Sequence, residues 1–151
     1  MKCLLIYGTL SGSTMTVAEL IGRTLVATGL EVDVLPVENA TKESLHAYNA
    51  LIVGSPSWED QGKDGQPLPE ITAFLAALSP QDLTGKKVLI FGLGDVSYPH
   101  FCGAVDVIEN TLKALNVTPN MESLRIDRYY SLQENEQKVK TWAERAAKIL
   151  Q

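Results

Sequence analysis

The sequence predicts a three-layer, doubly wound α/β fold: a five-stranded parallel sheet with helices on both faces. Three observations carry the prediction. Short unbroken apolar runs, such as Cys3-Leu4-Leu5-Ile6-Tyr7, suit strands buried on both faces. Segments with apolar residues at helical spacing alternate with those runs along the chain. No linker, repeat or low-complexity stretch interrupts the alternation, so residues 1–151 are expected to form one domain.

The first strand is expected over residues 2–8. The first helix follows over 13–28, with Val17, Leu20, Ile21 and Leu25 on one face and Gly29 closing it. Val32, Val34 and Val37 mark a second strand over 30–37, and a short helical piece lies near 41–47. Ala50-Leu51-Ile52-Val53-Gly54 gives the third strand, over 49–54. Residues 55–69 hold two glycines and three prolines and read as a loop. An apolar helix then runs from Ile71 to Leu78, and Lys87 to Gly92 is the fourth strand. The next helix carries Val105, Ile108, Leu112 and Leu115 on one face. A fifth strand lies within 117–127, and a last helix buries Val139, Trp142, Ala143, Ala146 and Leu150. Such βαβ repeats impose right-handed crossovers.

Composition narrows the functional classes. A 151-residue chain that is 45% hydrophobic can bury a core without disulfides or metals. Thirteen basic against eighteen acidic residues leave a net charge of −5, which argues against nucleic acid and suits contact with basic protein surfaces. No stretch is long enough to span a bilayer, and the N-terminus enters a strand without a signal-peptide layout, which predicts a cytosolic protein. Cys3 and Cys102 are placed at opposite ends of the sheet, roughly 15 Å apart, too far for a disulfide. No Cys/His cluster has metal-ligand spacing; the only histidines are His46 and His100.

In an open parallel sheet, ligands bind beyond the carboxyl ends of the strands, at the switch point of the winding. That rule gathers three loops of unusual composition: 8–14, 55–66 and 92–102. The first, Gly8-Thr9-Leu10-Ser11-Gly12-Ser13-Thr14, joins a strand to a helix N-terminus, where backbone N–H groups and the hydroxyls of Thr9, Ser11, Ser13 and Thr14 can meet a phosphate. It contains no cation, and neither the Walker A nor the GxGxxG pattern fits it. A Ser/Thr loop can equally be only a helix cap. The second loop carries Trp58 and the third Tyr98, each an aromatic among turn residues. Two such rings beside a phosphate site suggest a flat ligand ring held between them, and Gly92 and Gly94 let the backbone approach its edge. The competing reading of Trp58 is a side chain packed down on its own loop.

The chain resembles the short-chain bacterial flavodoxins over essentially its whole length. The carrying motifs are the 8–14 loop, Gly54-Ser55-Pro56-Ser57-Trp58, and the most specific of them, Phe91-Gly92-Leu93-Gly94-Asp95-Val96-Ser97-Tyr98 with Phe101-Cys102-Gly103-Ala104-Val105-Asp106. The resemblance implies strand order 2-1-3-4-5 and a noncovalently bound FMN that moves one electron at a time. It implies that Thr9, Leu10, Ser11, Gly12, Ser13 and Thr14 hold the phosphate, and that Ser55, Pro56, Ser57, Trp58 and Glu59 lie along one face of the ring. Leu93, Gly94, Asp95, Tyr98, Phe101 and Cys102 would contact the ring and ribityl chain, with Tyr98 flat on the outer face. A phosphate loop without cations, with Glu59, Asp60, Asp64 and Asp95 nearby, disfavours an anionic reduced flavin and implies a low potential. The implied partners are donor reductases and acceptor enzymes, met transiently through an acidic surface by a monomer that binds neither nucleic acid nor membrane. Two positions depart from the family pattern. Leu10 replaces a hydroxyl residue, and Glu59 stands where relatives often have a Gly whose peptide turns to accept a hydrogen bond from the reduced ring. Pro56 is a further oddity that a strand-end turn tolerates.

Other proteins of this topology fit less well. A response-regulator receiver needs carboxylates after the first strand, and Ile6-Tyr7-Gly8-Thr9 has none. A low-molecular-weight phosphatase needs Cys-x5-Arg in the phosphate loop, which lacks Cys. The serious alternative is an FMN-dependent NAD(P)H:quinone reductase-like enzyme. Against it, there is no second nucleotide loop and no general acid in the three loops except His100, itself readable as a solvated turn residue. The expectation is an electron-transfer protein rather than an enzyme. A third class, a flavin-free regulatory protein, would purify colourless.

Overall fold

The computed structural model describes residues 1–151. Its sheet contains β1 (Lys2–Tyr7), β2 (Glu31–Pro36), β3 (Ala50–Pro56), β6 (Lys87–Gly94) and β7 (Leu124–Asp127), in the order β2-β1-β3-β6-β7. All four pairings are parallel. Renumbered without the small hairpin β4 (Trp58–Asp60) and β5 (Lys63–Gln66), this is the expected 2-1-3-4-5 order. The helices are α1 (Ser13–Ala27), α2 (Pro69–Ala76), α3 (Gly103–Ala114) and α4 (Asn135–Leu150).

Alternation along the strands divides the core into two layers. Cys3, Leu5 and Tyr7 of β1 pack with Val17, Ile21 and Leu25 of α1 and Val139, Ala143 and Leu150 of α4. Leu4 and Ile6 point the other way, towards Ile71 and Leu75 of α2 and Val105, Ile108 and Leu112 of α3. Central strands β1, β3 and β6 are buried almost throughout, whereas edge strand β2 is not. Each fully buried Leu or Ile contributes roughly 1.5–3 kcal/mol relative to exposure, so the central strands anchor the fold. No helix is long and apolar enough to cross a membrane. Cys3 and Cys102 are both buried and free, as expected.

Several boundaries differ from the sequence expectation. Strands β3 and β6 each run two residues further, because Ser55 pairs with Gly92 and Pro56 with Leu93. Pro56, lacking an N–H, is tolerated as the last residue of its strand. Helix α2 begins at Pro69, a favourable first helical residue, and stops at Ala76. The piece near 41–47 is a 3-10 helix, Lys42–Ala47, capped reciprocally by Thr41 and Ser44. Two further 3-10 turns, Val37–Asn39 and Pro80–Leu83, were not anticipated. The 55–69 segment is also more than a loop: Gln61 (φ 51°) and Gly62 (φ 81°) make the left-handed two-residue turn that joins β4 to β5.

Candidate functional site

Beyond the carboxyl ends of the strands lies a cavity of about 310 Å³. Thr9, Leu10, Ser11, Ser13 and Thr14 line it from the first loop, and Pro56 and Ser57 from the end of β3. Leu93, Gly94, Asp95, Tyr98, His100 and Cys102 line it after β6. The convergence expected from the switch-point rule is therefore present.

The first loop is built to present donors. Gly12, the N-cap of α1, is left-handed (φ 95°) and supplies no side-chain cap, so the first-turn N–H groups of α1 have no side-chain acceptor from that residue, beside a cavity that Ser13 and Thr14 line. Thr9 Oγ1 accepts the Gly12 N–H at 2.9 Å, which fixes the loop's curvature. Thr16 N–H and hydroxyl both turn back to the Gly12 carbonyl, at 3.0 and 3.1 Å. Thr14 is 1% exposed, and its neighbour Leu10 is 63% exposed at the rim.

The loops are tied to one another by the backbone. Gly8 N–H donates to Gly54 O at 3.1 Å, and Ser57 N–H to Leu93 O at 2.9 Å. Ser57 Oγ accepts Ala104 N–H at 3.0 Å, anchoring the second loop on the start of α3. Asp95 Oδ1 accepts Ser97 N–H and Oγ–H at 2.8 and 2.6 Å, closing the turn that presents Tyr98. Those bonds hold the Asp95 carboxyl below the usual carboxylate range. The Tyr98 ring is 61% exposed at the cavity's edge. Cys102 is left-handed (φ 50°) and buried, and burial pushes its thiol up to about 11, so it stays neutral near pH 7. A Cβ at Gly94 would come within 2.9 Å of Cys102 N, so that close approach requires glycine.

Five expected residues do not line the cavity. Ser55 is fully buried; its hydroxyl donates to Pro56 O and accepts Leu68 N–H, at 2.8 and 3.1 Å, a structural role. Trp58 opens β4, and its indole N–H donates to Pro67 O at 3.2 Å, which ties the ring to its own loop. Glu59 lies in the same short strand, Gly12 shapes the first loop from behind, and Phe101 packs against the core of the α2/α3 layer. Of the expected pair of rings, Tyr98 lines the cavity, and Trp58 stands beside the lining residue Ser57. The two cavity aromatics are Tyr98 and Tyr129.

Sequence reasoning missed Arg128 and Tyr129, counted Asp64 only as a nearby charge, and set His100 aside. Asp64 reaches over from β5: its carboxylate accepts His100 N–H at 3.2 Å and lies 3.4 Å from the imidazole Nδ1. Arg128 and Tyr129 belong to a fourth loop, after β7, drawn in by the Arg128 N–H bond to Gly94 O at 2.8 Å. Tyr130 shares a 3.0 Å hydrogen bond with Thr16 of α1, closing the same loop from the far side. The first loop has no cation, and the cavity lining has Arg128.

The Flavodoxin family model matches residues 5–142. A flavodoxin from Maridesulfovibrio salexigens is 32% identical, with 83% of this chain and 86% of that protein covered. Probable flavodoxin 1 of Bacillus subtilis is 30% identical, covering 83% of this chain and 77% of its own. The crystal structure of oxidised Flavodoxin 2 from Bacillus cereus superposes with a TM-score of 0.84 at 32% identity, covering 98% of this chain and 99% of that one. Strand order, converging loops and a family match spanning nearly the whole sheet agree: the chain belongs to the flavodoxin family.

Proposed function

We propose that the protein is a low-potential, one-electron carrier that holds FMN noncovalently in this cavity, and not an enzyme. The observation that carries the reading is the uncapped N-terminus of α1 set beside Thr9, Ser11, Ser13 and Thr14 at one end of a cavity that ends in an exposed Tyr98. That donor set fits a phosphate: an N-terminal helix dipole, free first-turn N–H groups and hydroxyls. When bound, FMN supplies the redox chemistry, and the chain binds, orients and tunes it. Thr14 and Ser13 donate at the phosphate end. Leu93 and Gly94 bring backbone to the ring edge, and Tyr98 covers the outer face. Trp58, next in sequence to the lining residue Ser57, is proposed to border the opposite face, with Glu59 beside it. Two carboxylates in the lining, Asp64 and Asp95, oppose further negative charge on the ring and keep its potential low.

The net charge of −5 supports transient docking on basic surfaces of donor and acceptor proteins, by a monomer in the cytoplasm. The test is a titration of the flavin-free protein with FMN and with riboflavin. FMN is expected to bind far more tightly, and replacing Ser13 and Thr14 together by Ala to remove charge-assisted hydrogen bonds worth roughly 1.5–3 kcal/mol each. Equal affinity for both flavins would refute the phosphate assignment. Steady-state NAD(P)H oxidation by the pure protein would instead favour the quinone reductase-like alternative.

A further inference from the structure

Arg128 is the one Lys or Arg among the residues lining the cavity, and it arrives there in an unfavourable backbone conformation. Its φ of 44° lies in the left-handed region, where a residue with a Cβ is disfavoured and glycine is not. A non-glycine residue kept in such a conformation points to a use for its side chain. The backbone is held there by the Arg128 N–H bond to Gly94 O, at 2.8 Å. The guanidinium meets Asp127 through two bonds, Nε–Oδ1 at 3.0 Å and an NH2 group to Oδ2 at 2.9 Å. Asp127 Oδ1 also accepts Val96 N–H at 3.0 Å, so the pair is bolted to the Asp95–Tyr98 turn.

We propose that Arg128 is a potential-setting residue of the flavin site: its fixed cation partly offsets Asp64, Asp95 and the charge that reduction places on the ring. The inference rests on the FMN reading above. Three things support it. The side chain is 44% exposed at the cavity mouth, near enough to line it yet wet enough to stay charged. Its charge is felt at Asp95, which the Ser97 bonds mainly hold ionised and to which Arg128 adds against the opposing charge of Asp127. Asp127 keeps the guanidinium from swinging away, while the pair as a whole is neutral, so the orientation of the pair decides which charge the ring meets. The lining thus carries two carboxylates against one permanent cation, with His100 the other basic group.

The experiment measures both one-electron potentials of the FMN-loaded protein by spectroscopic titration, at low and high salt, for Arg128→Gln, Arg128→Lys and Asp127→Asn. Arg128→Gln is expected to disfavour the second electron about threefold, roughly a 28 mV fall at 59 mV per tenfold change. The first electron should respond less, and the shift should shrink at high salt, where the screening length falls to about 3 Å at 1 M. Arg128→Lys should retain most of the parent potential. Asp127→Asn should move the second potential upward, because the cation is left without its counter-charge. If Arg128 acted only by bracing the Val96 turn, Arg128→Gln and Asp127→Asn would shift the potential in the same direction, and Lys would not rescue. Either result overturns the proposal, as does an unmoved potential in Arg128→Gln. A colourless parent protein that takes up no FMN would defeat the FMN reading itself, and this inference with it.

Discussion

Tyr98 shows how much one side chain can be asked to do at this cavity. It is 61% exposed, so core packing does not explain it; the turn closed by Asp95 and Ser97 holds it at the edge. A ring stacked on the flavin contributes about 0.5–1.5 kcal/mol beyond its buried area, and an electron-rich one disfavours the reduced anion. Tyr98→Ala is therefore expected to weaken FMN binding several-fold and to raise the second potential by about 20–40 mV, while Tyr98→Trp does neither strongly. Unchanged binding and potential in the Ala variant would leave Tyr98 a surface residue. Glu59 poses a different question, because its backbone is not left-handed in this structure while Gln61 and Gly62 are. If the peptide after Trp58 must turn to meet the reduced ring, a Cβ there costs on the order of 1 kcal/mol. Glu59→Gly is then expected to raise the first-electron potential by up to about 43 mV, more than Glu59→Gln, which removes charge but keeps the Cβ. Equal shifts in the two variants would make residue 59 a matter of charge alone.

The hairpin β4–β5, which brings Asp64 to the cavity, is the element the sequence disclosed least. Apart from Trp58, its strands, Trp58-Glu59-Asp60 and Lys63-Asp64-Gly65-Gln66, carry no apolar side chain larger than glycine, so no alternation marked them. What holds it is tertiary: Gly65 (φ 73°) lies against His100 and Gly103, and a Cβ there would stand 2.6 Å from His100 Cβ. Asp64 adds its bonds to His100. Gly65→Ala is expected to lift the hairpin from α3, speeding amide exchange over residues 58–66 and weakening FMN binding. The melting temperature should fall only about 2–4 °C per kcal/mol lost. Exchange that accelerates evenly over the sheet would show instead that the hairpin is part of the cooperative core. The same contrast explains what was legible. The three central strands announced themselves by apolar runs, β2 by its spaced valines and β7 only as a region, and the 8–14 and 92–102 loops by composition at strand ends. Arg128 and Tyr129 gave no such signal, since a single bond from Arg128 N–H to Gly94 O brings their loop to the cavity. Trp58 was legible as an aromatic in a turn, but its bond to Pro67 O was not, because that partner lies nine residues on, across the hairpin.

For the molecule as a whole, the placement of its ionisable groups sets the pH range over which the fold holds. Asp82 is held below the usual carboxylate range by Ser79 N–H, Asp95 by the Ser97 hydroxyl, and Asp127 by Arg128. A depressed folded value means these carboxylates support the fold above the ordinary value of about 3.9 and stop doing so as pH falls through their lower folded values. The acid limb should therefore begin near pH 4 and not at neutrality. The alkaline limb has the opposite sign. Tyr48 Oη donates to Asp33 Oδ2 at 2.6 Å, and that bond pushes the phenol up to about 12. Its contribution is whole below the ordinary phenol value of about 10 and is lost as pH rises towards 12. Cys102, raised to about 11 by burial, begins the decline earlier, from about pH 8.5 where the unfolded thiol ionises. Urea midpoints at pH 7, 9, 10.5 and 11.5 (roughly, spanning the ordinary thiol and phenol values) separate the two. Tyr48→Phe is expected to lose less stability than the parent across the two highest points and the same amount across the two lowest. Identical alkaline losses in both proteins would place the sensitivity in the groups raised by burial, Cys3, Cys102, Tyr7 and Tyr129, and not in the bond that ties Tyr48 to β2.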